Sequence, residues 1–507
     1  MEKAEKIINQ LKNLDATVTR LGHIAALLEW DQETYMPAGA VNERAMQSAM
    51  VVGLHHEKIV DEKWGELFAE LGYEGNLAPR GLGDTDAAFL RESYKRWKKQ
   101  TRVPRDLVEN LARETSLAQA AWAGARKSDN FSAFAPNLER IIGLEKEYAA
   151  AISDDSEADA YDTLLDEYEP GASAGEISTV FDGLAEGLRA LMDKIRSGSA
   201  PETGFLEKPY DITRQDAFGQ KIQNFMGYDT HRGRLDLSAH PFTTTLGPDD
   251  VRVTTRYDEK LVLSGLFSNI HEAGHGLYEQ GIGRNLRNTL LADGTSLGIH
   301  ESQSRFWENT VGRSMAFWDR WFDDFKNLFP ENLPDVDVRS FYRAVNSVQP
   351  SLIRVEADEV TYSFHIIIRF RLEQALISGD LKVVDLPGAW NDAYRDLLGI
   401  TPPNDADGCL QDVHWSVGLF GYFPTYALGN LYAAQFTRAM EKDLGPISTL
   451  LGSDRADTIL NWLRENIHVH GRVYSPGDLC RRVTGESLDS VYFLDYLNGK
   501  YAGVYGF

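Results

Sequence analysis

A chain of 507 residues with 43% hydrophobic and 25% charged content has ample material for a large core. Its formal net charge of −24 argues against nucleic acid and anionic membranes as partners, because both select Lys and Arg. The only cysteines, Cys409 and Cys480, exclude a disulfide framework and point to a reducing compartment.

The N-terminus, "MEKAEKIINQLKNL", reads as an amphipathic helix without the apolar run and cleavage site of a signal peptide. No stretch approaches ~18 consecutive apolar residues, so no membrane span is expected, and the expectation is a cytoplasmic protein. Helical periodicity then dominates. Ile7, Ile8, Leu11, Leu14, Val18, Leu21 and Leu28 recur at steps of three and four. The pattern repeats from Asp86, with Pro104 marking a fresh start. Turn clusters at 169–175, 197–204, 329–335 and 401–408 punctuate the chain. The clearest strand is "DVRVTTRY", 250–257, where Val251, Val253 and Thr255 alternate with Arg252, Thr254 and Arg256. No linker or repeat interrupts the chain. The expected fold is all-α with a small β element, as one domain over 1–507.

"SNIHEAGHGLYEQG", 268–281, carries the chemistry. A helix is predicted from about Asp258 to Glu279, stopping at Gly281. Leu263, Phe267, Ile270 and Gly274 share one face, and His271 and His275 stack one turn apart on the next. Two imidazoles so placed can hold one zinc ion, while Glu272, rotated about 100° away, can take a proton from a water the metal activates. A chance H-E-x-x-H in a chain with 12 His has a probability on the order of a few per cent, so the motif needs company. Ala273 and Gly274 help, because small side chains let another element approach closely. A third ligand is required, and "GTSLGIHESQSRFWEN" offers His300 or Glu301. Helical neighbours point about 100° apart, so only one should reach the metal, and spacing alone does not choose between them. A rival pairing joins Glu272-x-x-His275 with Glu465-x-x-His468 in a di-iron carboxylate bundle, but it leaves His271 idle.

From "WDQETYMP" (30–37) to "YLNGKYAGVYG" at the C-terminus, the chain resembles the carboxypeptidase Taq family of zinc metallocarboxypeptidases. Six co-linear blocks carry the resemblance: "HPF" (240–242), "DVRVT" (250–254), "HEAGH" (271–275), "HESQ" (300–303), "IRVEAD" (353–358) and "GCLQDVHW" (408–415). The resemblance implies an all-helical body with a deep substrate groove, like that of the neurolysin and angiotensin-converting-enzyme group. Helices of about 1–75 would cover the groove. It implies His271, His275 and Glu301 as ligands of one zinc, for which cobalt can substitute, and Glu272 as general base. It also implies a cytoplasmic homodimer that releases single C-terminal residues from peptides with broad specificity. A related zinc oligopeptidase or endopeptidase is the alternative, since it shares the metal apparatus.

The reaction needs further donors for its developing oxyanion. By resemblance these come from His414 and from Tyr422 or Tyr426, in "QDVHWSVGLFGYFPTY". A free C-terminal carboxylate calls for the fork of an arginine, and Arg354 and Arg252 lie in the shared blocks. Arg354 could instead pair with Glu356, Asp358 or Glu359, and Arg252 with Asp250. "DVRVTTRY" could present a free strand edge to an extended peptide. His240, made extended by Pro241, lines the groove or sits buried behind it.

Overall fold

The apolar spacing of the first 34 residues becomes one long helix, Glu2–Thr34, with Ile7, Ile8, Leu11 and Val18 buried along one face. The computed structural model describes residues 2–75, 79, 81–153, 158–453 and 455–507, and in them finds twenty α-helices and one three-stranded sheet. The break expected at Pro104 separates helices Asp84–Arg102 and Arg105–Lys127.

The buried residues form two clusters. The smaller unites the first helix with Val41–Ile59, Glu62–Leu71 and Asp84–Arg102, through Trp64, Phe68 and Phe89, and closes against Leu286, Leu291 and Val473. Asp15, fully buried on the first helix, ties this unit to the rest. It accepts Arg96 Nη2 at 2.6 Å and the backbone N–H of Leu290 at 2.7 Å. The larger cluster runs from Ala118 to Tyr505 and fills the body.

Strands β1 (Leu235–Leu237), β2 (Thr243–Gly247) and β3 (Asp250–Thr255) lie in the order β1-β3-β2. β1 is parallel to β3 and β2 antiparallel to it. The 250–255 segment is therefore the central strand, and its expected free edge does not exist. Both its sides are used, and the open edge on this side of the sheet belongs to β2, whose Thr-rich sequence carried no apolar alternation.

The HEAGH helix spans Val262–Gly281, four residues shorter at its start than expected. Asp258 makes a turn instead: its side chain accepts Lys260 N at 2.8 Å and its carbonyl accepts Leu261 N. The helix packs on β2 and β3 on one side and on the HESQ helix, Leu297–Arg305, on the other. The long helix Pro424–Leu444 covers the far side of the HESQ helix. Glycines set both spacings. A Cβ on Gly274 would meet Ser304 Cα at 2.7 Å and Gln303 O at 2.9 Å; one on Gly429 would meet Glu301 Cγ at 2.4 Å and Cβ at 2.7 Å.

Gly429→Ala should therefore push Glu301 off its seat and destabilise the fold by about 1–3 kcal/mol, the usual cost of overpacking. Gly499→Ala, whose Cβ meets nothing within 4 Å, is the control and should be neutral or stabilising in the same thermal melts.

Candidate metal centre and substrate groove

His271 and His275 sit one turn apart, ring centroids 4.9 Å from one another, and Glu301 faces both from the neighbouring helix. Glu301 Oε2 lies 3.5 Å from His271 Nε2 and 3.5 Å from His275 Nε2. Tetrahedral bonds of about 2.1 Å place ligand atoms roughly 3.4 Å apart, so these three atoms fit one shared ion. Among the described residues they are the group of His and acidic side chains with metal-ligand spacing.

The hydrogen bonds behind the rings are compatible with the neutral tautomers that a metal requires. His271 Nδ1 donates to Glu308 Oε2 at 2.9 Å. His300 Nε2 donates to Glu279 Oε1 at 2.8 Å, since a carboxylate only accepts, which leaves His300 Nδ1 to accept from His275 Nδ1 at 2.6 Å. In these tautomers both rings turn an Nε2 free to bind a metal toward Glu301. Of His300 and Glu301, Glu301 points at the two rings and His300 braces one of them from behind. The di-iron pairing fails, because Glu465 is exposed and His468 Nε2 is bound to Gln303 Oε1 at 2.8 Å.

Glu272 is buried beside the triad, and Thr243 Oγ1 of β2 donates to its Oε2 at 2.6 Å. One pleat further, Thr245 Oγ1 donates to Glu279 Oε2. Burial raises the Glu272 carboxyl above its ordinary value, opposed by His271 and by the Thr243 hydrogen bond.

Two chambers, of about 850 and 1170 Å³, meet at the triad, sharing Pro241, His271, Glu272, Glu301 and Tyr426. The first is lined by Thr19 and His23 of the N-terminal helix, by Lys95 and Lys99, by Thr243–Thr245 and by Tyr422. The second is lined by His240, Phe267, Arg305, Arg354, Asp412 and His414.

Arg354 Nε and Nη2 donate to Asp412 Oδ1 at 3.0 and 2.9 Å, and Arg369 Nε donates to Asp412 Oδ2 at 2.7 Å. Its partner is thus Asp412, not the Glu356, Asp358 or Glu359 close in sequence. Arg252 does not reach the site. Asp250 fills its fork with two bonds of 2.8 Å, Trp30 covers it at 4.1 Å, and it lines neither chamber. His240 is exposed on the chamber wall, not buried behind it. Tyr426 borders both chambers and approaches His414 Nε2 at 3.4 Å, whereas Tyr422 borders the first alone and packs on Tyr168. Burial lowers His414 to about 4, with Arg354 and Arg369 adding to the effect against Asp412, so its ring is neutral at pH 7. Burial raises Tyr426 well above its ordinary value and keeps its hydroxyl protonated.

Thr243, Arg305, Glu308, Asp412 and Arg369 escaped the sequence reading. Glu301, Arg305 and Glu308 recur at steps of four and three, which puts them on one helix face, and that was the available signal.

Residues 10–501 match the family model described as carboxypeptidase Taq (M32) metallopeptidase. The chain is 44% identical over 495 residues to thermostable carboxypeptidase 1 of Thermus thermophilus and 38% identical to carboxypeptidase 1 of Bacillus subtilis, each alignment covering 96% of both chains. It superposes on the crystal structure of the M32 carboxypeptidase from Deinococcus radiodurans with a TM-score of 0.95 at 40% identity, over 99% of this chain and 100% of that one. The chain belongs to the carboxypeptidase Taq (M32) family and is a metallocarboxypeptidase, a metal-dependent peptide hydrolase.

Proposed function

We propose that the metal is a single zinc ion held by His271 Nε2, His275 Nε2 and Glu301 Oε2, and that the enzyme removes one residue at a time from free peptide C-termini. Two imidazoles and one carboxylate are a donor set that suits catalytic zinc, and cobalt accepts the same set. Zinc, when bound, polarises a water molecule and lowers its pKa toward neutrality. Glu272 is the general base: Thr243 holds its carboxylate in place, and it carries the water's proton across to the leaving amine. Tyr426, at the junction of the two chambers, donates to the developing oxyanion, with neutral His414 beside it as the second donor. Tyr422, confined to one chamber, is the weaker candidate.

Arg354 carries the exopeptidase reading. It shares Asp412 with Arg369, so the trio bears one surplus positive charge (+1 +1 −1) in the wall of the larger chamber. Besides Asp412, its guanidinium hydrogen-bonds among the described residues to Tyr362 Oη, through Nη1 at 3.4 Å, and lies 5.0 Å from the ring centroid of Tyr426. A substrate carboxylate supplies both the missing acceptor and the missing charge. The leaving residue then occupies this chamber, whose size and mixed lining impose no single side chain and favour broad specificity. The preceding residues run through the smaller chamber along the open edge of β2, beneath the N-terminal helix. Full-length relatives named carboxypeptidases weigh against the oligopeptidase alternative. A homodimer in the cytoplasm rests on family resemblance; among the described residues no helix is long and apolar enough to cross a membrane.

Offered one peptide as free acid and as C-terminal amide, the enzyme should shorten the acid stepwise and spare the amide; internal cuts in both contradict this reading. Glu272→Gln should lower kcat by at least about 10²-fold while elemental analysis still finds near one zinc per chain. For Arg354→Gln, KM for the free acid should rise roughly 10- to 100-fold, the loss of a charge-assisted pair, with far less change in kcat.

A further inference from the structure

The helix that carries Glu301 ends unusually. It runs Leu297–Arg305 and passes directly into a π-helical stretch, Phe306–Gly312. Such widened turns are rare and concentrate at functional sites. This one has a definite consequence. Glu308 and Arg313 are five residues apart, and α-helical steps would set them roughly 140° apart around the axis. Here Arg313 Nη2 reaches Glu308 Oε1 at 3.2 Å. The other oxygen of Glu308 accepts His271 Nδ1 at 2.9 Å and Arg305 Nη1 at 3.2 Å.

Arg305 works on both sides. Its Nε donates to Glu301 Oε1 at 2.7 Å, the oxygen that does not face the imidazoles as a pair. Its flat face rests on Tyr362, 4.4 Å from the ring centroid. One guanidinium thus joins the carboxylate in front of the two histidines to the carboxylate behind one of them. The C-terminal helix, Val491–Tyr505, braces the widened turn: Tyr496 Oη and Lys500 Nζ donate to the carbonyl of Asn309 at 3.1 and 3.4 Å. Lys500 is anchored in turn by Glu359 at 2.6 Å, with side chains only 6% and 1% exposed.

We propose that Arg305 is a positioning residue for the metal, occupying Glu301 Oε1 so that Oε2 alone ligates and, through Glu308, fixing the ring of His271. The proposal rests on the zinc reading above. Without Arg305 the Glu301 carboxylate keeps the Ser304 hydroxyl bond to Oε2, at 3.1 Å, but Oε1 is released to ligate as well, which fills the position a catalytic site keeps open. It also loosens the hydrogen bond that aims His271, the kind of outer contact on which metal affinity depends.

The test uses full-length Arg305→Met and Arg305→Lys proteins with circular dichroism to establish folding. Zinc affinity, read by competition with a chromophoric chelator, should fall about 10- to 100-fold in Arg305→Met. Arg305→Lys, which keeps the charge but not the fork, should recover part of the loss. In cobalt-loaded Arg305→Met the visible absorption should weaken, because a fifth ligand atom reduces the intensity of a four-coordinate spectrum. A general loss of packing would not produce that change. A folded Met variant with wild-type zinc affinity and a wild-type cobalt spectrum overturns the proposal; so does a Lys variant with both, should the Met variant fail to fold. Wild-type protein that binds neither zinc nor cobalt at this site overturns the zinc reading and this proposal with it.

Discussion

The site depends on how closely three helices approach one another. The HESQ helix lies between the HEAGH helix and helix Pro424–Leu444, and at each contact a glycine leaves no room for a methyl group. Gly274 lets the Ser304 backbone come near; Gly429 lets the stem of Glu301 lie against a bare helix surface. Only at these separations does Glu301 Oε2 stand equally far, 3.5 Å, from two imidazole nitrogens on another helix. Close-packed interiors do not stretch to accommodate added volume, so this spacing is a property of the fold and not of a flexible side chain.

Around that spacing the histidines and carboxylates of the site are held by other side chains. His271 leans on Glu308, and His275 leans on His300 and through it on Glu279. β2 supplies a threonine to Glu272 and another to Glu279, so the small sheet positions the proposed base and the far end of the histidine relay with one strand face. Arg305 links Glu301 to Glu308. Arg354 is the exception in degree, with one edge of its fork given to Asp412 and the rest to a weak contact with a tyrosine hydroxyl. In the proposed reading, this partly used guanidinium is where a substrate carboxylate docks.

The periodic features were legible in the sequence. The first helix, the break at Pro104, the HEAGH helix and the strand at 250–255 follow from apolar spacing and turn residues; His271 and His275 follow from residue type and helical geometry, which left the third ligand open between His300 and Glu301 until the family resemblance chose Glu301. Partnerships across the fold were not legible. Nothing in "DVRVTTRY" says that both its edges are taken, because strand order is set by what packs beside it. Asp250, two residues from Arg252, was a visible partner for it; Asp412, 58 residues from Arg354, was not. The π-helical turn that brings Arg313 to Glu308 has no periodic signature, and its carbonyl at Asn309 is satisfied from the opposite end of the chain. Local pattern specifies elements, and the site is made where elements distant in sequence meet.

Anomalous diffraction from crystals of the zinc-loaded protein, recorded on both sides of the zinc absorption edge, tests the central claim most directly. One strong peak per chain is expected within bonding distance of His271 Nε2, His275 Nε2 and one oxygen of Glu301. A peak elsewhere, or one bonded to His300 with Glu301 turned away, would contradict it.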